Sequence, residues 1–252
     1  MPQALLTGAR TVLFVHAHPD DETLATGGIL ADLAERGVSV AVLTATRGER
    51  GEVVPGPLSR LAGTAALAEH REREVECACR ALGVRSGAFL GEPPARSEGL
   101  PPRRYTDSGM RWLDEAETVA GPGEGASPDA LTLADPAEVA GDIAAYARHL
   151  GADLIISYDA AGGYGHPDHV ALHAPSRAAA SDVGAGFLEV ASEPNAAGLV
   201  VDARRHVEVV REALAHHASQ LTLDGDVVVH VGGQRQPIQL TYTLREPRDR
   251  LT

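Results

Sequence analysis

The sequence predicts an α/β fold: a Rossmann-like three-layer sandwich with a mostly parallel sheet, a site at the carboxyl ends of its strands, and a small β-hairpin region near the C-terminus. Three observations lead there. TVLFVHA (residues 11–17) is a short apolar run of the kind that fills a strand buried on both faces. It is followed at once by a helix-like stretch, DETLATGGILADLAERG, and a second apolar run, VSVAVLTAT; a β-α-β start with so short a link implies a layered parallel sheet. Finally, two polar turns, HAHPDDE (16–22) and GGYGHPDH (162–169), each follow an apolar strand. Open α/β sheets bind their ligands beyond such strand ends.

Taken in order, the first helix carries Asp21 and Glu22 in its opening turn, where acids suit the helix dipole, and Gly37 ends it. Residues 38–46 form the second strand, and 47–60 a charged loop with Gly and Pro. Residues 61–84 have helical spacing, with Leu61, Ala65, Leu67, Val75, Ala78 and Leu82 as core positions. A third strand is expected at 87–91. Residues 92–135, rich in Pro, Gly, Ser and charge, read as a long surface excursion with one short helix around Trp112; loops of this length are often functional lids. A helix over 136–151 opens on Pro136, a buried strand covers 152–159, and a further helix starts at the HPDH turn. The rest gives a strand at 197–202, a helix over 203–220, and a hairpin from DVVVHV and PIQLTYTL. We expect one domain over 1–252, with 181–252 as its substrate-side and C-terminal portion.

Composition narrows the function. The chain's 252 residues are 44% hydrophobic and 23% charged, enough apolar material for one large core. The net charge of −13 argues against binding nucleic acid or an anionic membrane, both of which need clustered Lys and Arg. A small neutral or cationic ligand fits better. No apolar run approaches a membrane span and residues 1–10 lack a signal-peptide pattern, so a cytoplasmic protein is expected. Cys77 and Cys79 lie two apart on a predicted helix and point to nearly opposite sides, which suits ordinary thiols rather than a disulfide or a shared metal. A homo-oligomer is compatible with the sequence.

The two polar turns hold the metal-capable groups. His18 and Asp21 can converge across a tight turn, and His169 can join them from the second. Two imidazoles and one carboxylate are a usual set for catalytic zinc, with one position left for water. Asp20 then stands beside the ion uncoordinated, able to take a proton from water. His166 can face the same cavity and donate to an oxyanion. On its own, HPDH is equally a capped helix start with Asp168 as its acid. His169 and His173 have the i, i+4 spacing of a two-histidine zinc helix, but no Glu stands at the required place between them. A dinucleotide site is disfavoured, because the first turn reads HAHPDD instead of G-x-G-x-x-G and its carboxylates would repel a pyrophosphate.

Together, HAHPDDE and GGYGHPDH resemble the LmbE-like, or PIG-L, family of zinc-dependent N-acetylglucosaminyl deacetylases, and within it the mycothiol-pathway branch that acts on N-acetylglucosaminyl-inositol. The similarity extends through TRGERGEV (46–53), REREVECACRALGV (71–84), YTDSGM (105–110), ISYDAAGGYGHPDHV (156–170) and HASQ (217–220), roughly two-thirds of the chain. The resemblance implies that His18, Asp21 and His169 hold one Zn2+ per chain, with Fe2+ or another divalent ion as the alternative. It makes Asp20 the general base. His166, as imidazolium, and Tyr164 would stabilise charge on the amide oxygen, and Arg71 and Asp107 would hold substrate hydroxyls. Glu22 is assigned to the helix N-terminus and to hydrogen bonds behind the site; His16 either joins it or is a satisfied core histidine. After Ala180 the chain looks shorter than that branch, and GFLEVASEPNAAGLVVD lacks a counterpart. The aglycone therefore stays open between N-acetylglucosaminyl-inositol, a glycosylated natural product and a chitin fragment. Mycothiol-conjugate amidases carry a Lys after HPDDE where this chain has TLATGG, so that alternative is weaker. A non-catalytic sugar-binding domain would have lost a ligand or the base, and none is missing.

Overall fold

The computed structural model describes residues 1–113, 120–123, 125–193 and 196–247. The chain runs through α1 (Pro2–Gly8), β1 (Thr11–His16), α2 (Asp21–Glu35), β2 (Ser39–Thr44), α3 (Ala65–Ala81) and β3 (Ser86–Phe89). A ribbon of β4 (Met110–Trp112) and β5 (Ala120–Pro122) precedes α4 (Pro136–Leu150), β6 (Leu154–Tyr158), α5 (Pro167–Val183) and β7 (Gly186–Val190). The last part contains β8 (Leu199–Asp202), α6 (Val207–His216), β9 (Leu221–Asp224), β10 (Val227–His230), β11 (Arg235–Pro237) and β12 (Thr241–Arg245).

Side chains alternate across a strand, and here both faces are apolar. Val12 and Phe14 of β1, Val40 and Val42 of β2, and Leu154 and Ile156 of β6 enter one core with residues of α2, α3 and α6. Leu13, Val15, Ala41, Leu43 and Ile155 enter a second core with α4 and α5. Helices on both faces are what a near-continuous apolar strand requires. The main sheet has seven strands in the order β3-β2-β1-β6-β7-β12-β8. Its first five are parallel, and β12 runs antiparallel to both β7 and β8. The expected mostly parallel α/β sheet is therefore present.

Several expectations need correction. Among the described residues around Trp112 there is no helix: 110–112 pair antiparallel with 120–122, and residues 114–119 lie outside the described residues. The excursion is not confined to the surface, because Ala95, Tyr105 and Leu131 are buried in the second core. The expected C-terminal hairpin region is present as the antiparallel sheet β9-β10-β11, but its partners differ: β10 pairs with β9 and β11, whereas Thr241–Arg245 is inserted between β7 and β8. Leu67, Val75 and Ala78 of α3 and Leu82 at its C-cap are buried as expected, but Leu61 is half-buried before the helix and Ala65 is exposed because the helix only begins there. Cys77 and Cys79 are free thiols, and burial pushes Cys79 well up in pKa. No described helix is long and apolar enough to cross a membrane.

Candidate active site

Strands β1 and β6 lie side by side with Phe14 opposite Ile156, so their carboxyl ends open at the same place. From there the connections diverge, β2 flanking β1 and β7 flanking β6. A crevice at such a reversal is where this class of sheet binds ligands, and it brings the two polar turns together. The second turn needs its glycines: Gly162 has φ 66°, and a Cβ there would stand 2.8 Å from the Val170 amide nitrogen. His166 then caps α5 and Pro167 opens it, which places Asp168 and His169 in its first turn.

Three atoms form a nearly equilateral triangle. His18 Nδ1 is 3.3 Å from Asp21 Oδ2, His169 Nε2 is 3.2 Å from the same oxygen, and the two nitrogens are 3.3 Å apart. An ion held at about 2.0 Å by one tetrahedral face spaces its ligands by about 3.3 Å, so these residues fit a zinc-sized divalent cation. Two other groups, His18–His166–His169 and His18–Asp107–His166–Asp168, also bring ligand atoms within 4.8 Å of one another. The first shares His18 and His169 with the triangle; the second fits less well, because His18 Nε2 and Asp107 Oδ1 are 3.8 Å apart and Asp168 already accepts a hydrogen bond from His18. Burial would raise the pKa of Asp21, but the charge of His169 and hydrogen bonds from His169 and His18 bring it well below the usual carboxylate range.

Asp20, the residue before Asp21, is half-buried and caps α2 with a left-handed backbone, φ 95°. Burial, and then the neighbouring Asp21 carboxylate, push its pKa up. Glu22 accepts from the Asp20 amide (3.1 Å) and meets His217 Nε2 at 2.7 Å, in agreement with its assignment behind the site. His16 faces Thr26 Oγ1 at 2.9 Å, and burial lowers its pKa to about 4. It is a neutral imidazole packed under α2.

His166 packs against His18 and His169 with ring centroids 4.5 and 4.9 Å away. Its Nδ1 accepts from the Asp168 amide at 3.2 Å, which leaves the proton on Nε2. Burial and the two neighbouring imidazoles lower its pKa to about 3. Both observations favour a neutral donor over the imidazolium expected at this position. Tyr164 is half exposed, edge-on to both His166 and His169 at 6.0 and 5.4 Å. Asp107 is buried near His18 and accepts from the Gly109 amide at 2.7 Å. Arg71, also buried, donates to the carbonyls of Gly48 and Glu52 and to Ser219 Oγ. It braces the 48–52 loop, where Gly48 at φ 62° leaves room for the guanidinium.

Two residues that support the triangle went unassigned in the sequence. Asp168 Oδ2 accepts from His18 Nε2 (3.0 Å) and from the Ser108 amide (3.0 Å), which frees His18 Nδ1 for an ion. The HPDH turn offered this signal but allowed a helix cap as well. Tyr158 ends β6; its hydroxyl donates to Asp21 Oδ2 (2.8 Å) and accepts from the Ala17 amide (2.9 Å), and its ring stacks on His169 at 4.2 Å. Outer partners of this kind are worth about 10–100-fold in metal affinity. Tyr158→Phe should keep the stack and weaken binding of a divalent ion by about that factor, read by competition with a chromophoric chelator. Unchanged affinity would show that the hydroxyl does not orient Asp21.

Comparisons with known proteins fit this geometry. The family model described as PIG-L, GlcNAc-PI de-N-acetylase, matches residues 13–180. A 1D-myo-inositol 2-acetamido-2-deoxy-alpha-D-glucopyranoside deacetylase of Kineococcus radiotolerans is 47% identical over 164 residues, 65% of this chain and 43% of the relative. The chain therefore spans less than half the length of that protein. One of the same name from Nocardioides sp. is 31% identical over 271 aligned residues, 87% of this chain and 86% of the relative. Among solved structures, N,N'-diacetylchitobiose deacetylase from Pyrococcus horikoshii shares the fold, with TM-score 0.60 and 21% identity over 86% of this chain and 73% of that one. Since the family match runs from β1 into α5 and contains both polar turns, the chain belongs to the PIG-L family.

Proposed function

We propose that this chain is a zinc-dependent hydrolase that removes acetate from the 2-acetamido group of an N-acetylglucosaminyl glycoside, with N-acetylglucosaminyl-inositol as the favoured substrate. The observation that carries the reading is the triangle of His18 Nδ1, Asp21 Oδ2 and His169 Nε2 with sides of 3.2–3.3 Å. The names of the relatives support the acetamido sugar. When bound at the triangle, a divalent ion supplies Lewis acidity, which acidifies water and polarises a carbonyl.

The chain's own residues do the rest. Asp20 takes a proton from the attacking water as the C–O bond forms at the acetyl carbon. It returns that proton to the amide nitrogen as the C–N bond breaks, releasing acetate and a free amine. His166 donates from Nε2, and Tyr164 from its hydroxyl, to the carbonyl oxygen as it gains charge. Asp107 accepts from sugar hydroxyls, and Arg71 shapes the sugar side through the loop it braces. The test uses chelator-stripped protein titrated with zinc, assayed for acetate and free amine on N-acetylglucosaminyl-inositol and on N,N'-diacetylchitobiose. Turnover should vanish on stripping and return at one equivalent. Activity in the stripped protein removes the metal from the reading, and no acetate from either sugar removes the substrate class.

A further inference from the structure

Among the described residues, Asp20 is the single non-glycine with positive φ. Such a backbone is strained for a residue with a side chain and persists only where surrounding contacts impose it. The contacts here are specific. The Asp20 carbonyl accepts from the amides of Thr23 (3.0 Å) and Leu24 (2.8 Å), and its own amide donates to Glu22 Oε2 at 3.1 Å. Glu22 is fully buried, so its carboxylate keeps that orientation only if its other oxygen is satisfied. Oε1 accepts from the Thr23 hydroxyl and faces His217 Nε2 at 2.7 Å. His217 is also fully buried and comes from the turn after α6. Two residues on, Ser219 binds Glu74 through its amide (2.8 Å) and hydroxyl (2.6 Å), accepts from Arg71, and receives the Val54 amide on its carbonyl. This turn lies beyond the residues matched by the family model, 13–180.

We propose that His217 is a positioning residue: through Glu22 it holds the Asp20 backbone in the left-handed conformation that aims its carboxylate into the site. The inference rests on the reading of Asp20 as the base. A displacement of that carboxylate by about 1 Å can cost on the order of 100-fold in rate. Loss of His217 should therefore lower kcat by about 10–100-fold with KM unchanged and one zinc still bound per chain.

The experiment compares His217→Ala, Glu22→Ala, the double variant and His217→Gln, all zinc-loaded. Each is assayed on N-acetylglucosaminyl-inositol and followed by hydrogen exchange at the amides of residues 20–24. The two alanine variants should lose kcat and exchange the Asp20 amide faster. The double variant should be no worse than Glu22→Ala alone, because the two residues act as a unit. His217→Gln, which can still donate to Glu22, should recover most of both. Wild-type kcat together with wild-type exchange at Asp20 in His217→Ala overturns the proposal, as does a lower melting temperature with kcat per folded molecule intact. Should His217→Ala not fold, Thr23→Val removes the other hydrogen bond to Glu22 Oε1 and is read the same way. If the loaded wild type releases no acetate, the functional reading has failed, and the exchange data alone decide the positioning role.

Discussion

Asp20→Asn should keep one zinc per chain and lose acetate release by about 10²–10⁴-fold, the usual contribution of a positioned acid–base group. The substitution is nearly isosteric and spares what holds the position in place. Asn tolerates the left-handed region, and the contacts that fix the loop use the backbone amide and carbonyl of residue 20. What disappears is the ability to take and return a proton. The same change should help the metal-free protein. Burial and Asp21 raise the Asp20 pKa above its ordinary 3.8, so in the folded state the carboxyl holds its proton more tightly than in the unfolded chain. Such a group stabilises the fold fully only below its unfolded pKa, and loses that contribution as pH rises through the folded one. The metal-free Asn variant should therefore melt above the metal-free wild type at pH 7, with the gap closing as pH falls toward 4. Near-normal turnover by the loaded variant would remove Asp20 from the mechanism.

The parts of this site that were legible in the sequence are those set by local chemistry at strand ends. A continuous apolar strand announces a sheet covered on both faces, and a turn dense in His and Asp immediately after it has little other use. Two such turns could be assigned to one crevice because parallel sheets place their ligands at a reversal of strand order. Non-local choices were harder to see. TYTL alternates as any half-buried strand does, and nothing in it distinguishes pairing with β10 from insertion between β7 and β8. In GFLEV, Glu189 disguises a buried strand residue, because its carboxylate is satisfied by His173 and Arg245 from other elements. Tyr158 was invisible as a support for the same reason, and Asp168 read equally well as a helix cap. Each acts on a residue more than a hundred positions away, and only the folded chain reveals the partner.

The excursion before α4 gives a second large effect, on stability. Asp142, fully buried in α4, accepts from Arg96 Nη1 (2.8 Å), the Ser97 amide (2.8 Å) and the Tyr105 hydroxyl (2.9 Å). Truncation to Ala leaves a half-buried amide and a buried hydroxyl without that acceptor and strips a largely buried guanidinium of one of its carboxylates. Breaking a buried pair typically costs about 3–5 kcal/mol. The lower end, about 3 kcal/mol, applies because Glu138 still faces Arg96 at 2.7 Å. Asp202→Ala is the control, since its pair with Arg204 lies in solvent and should leave the urea midpoint where it is. If Asp142→Ala moves the midpoint no further than that control, with m unchanged, the excursion is not anchored through α4. The anchoring matters to the site because the same segment runs on to Asp107 and Ser108, whose amide binds the oxygen of Asp168 that also orients His18. A stretch rich in Pro and Gly can take part in such chemistry only when it is pinned, and one buried carboxylate supplies three of the bonds that pin it.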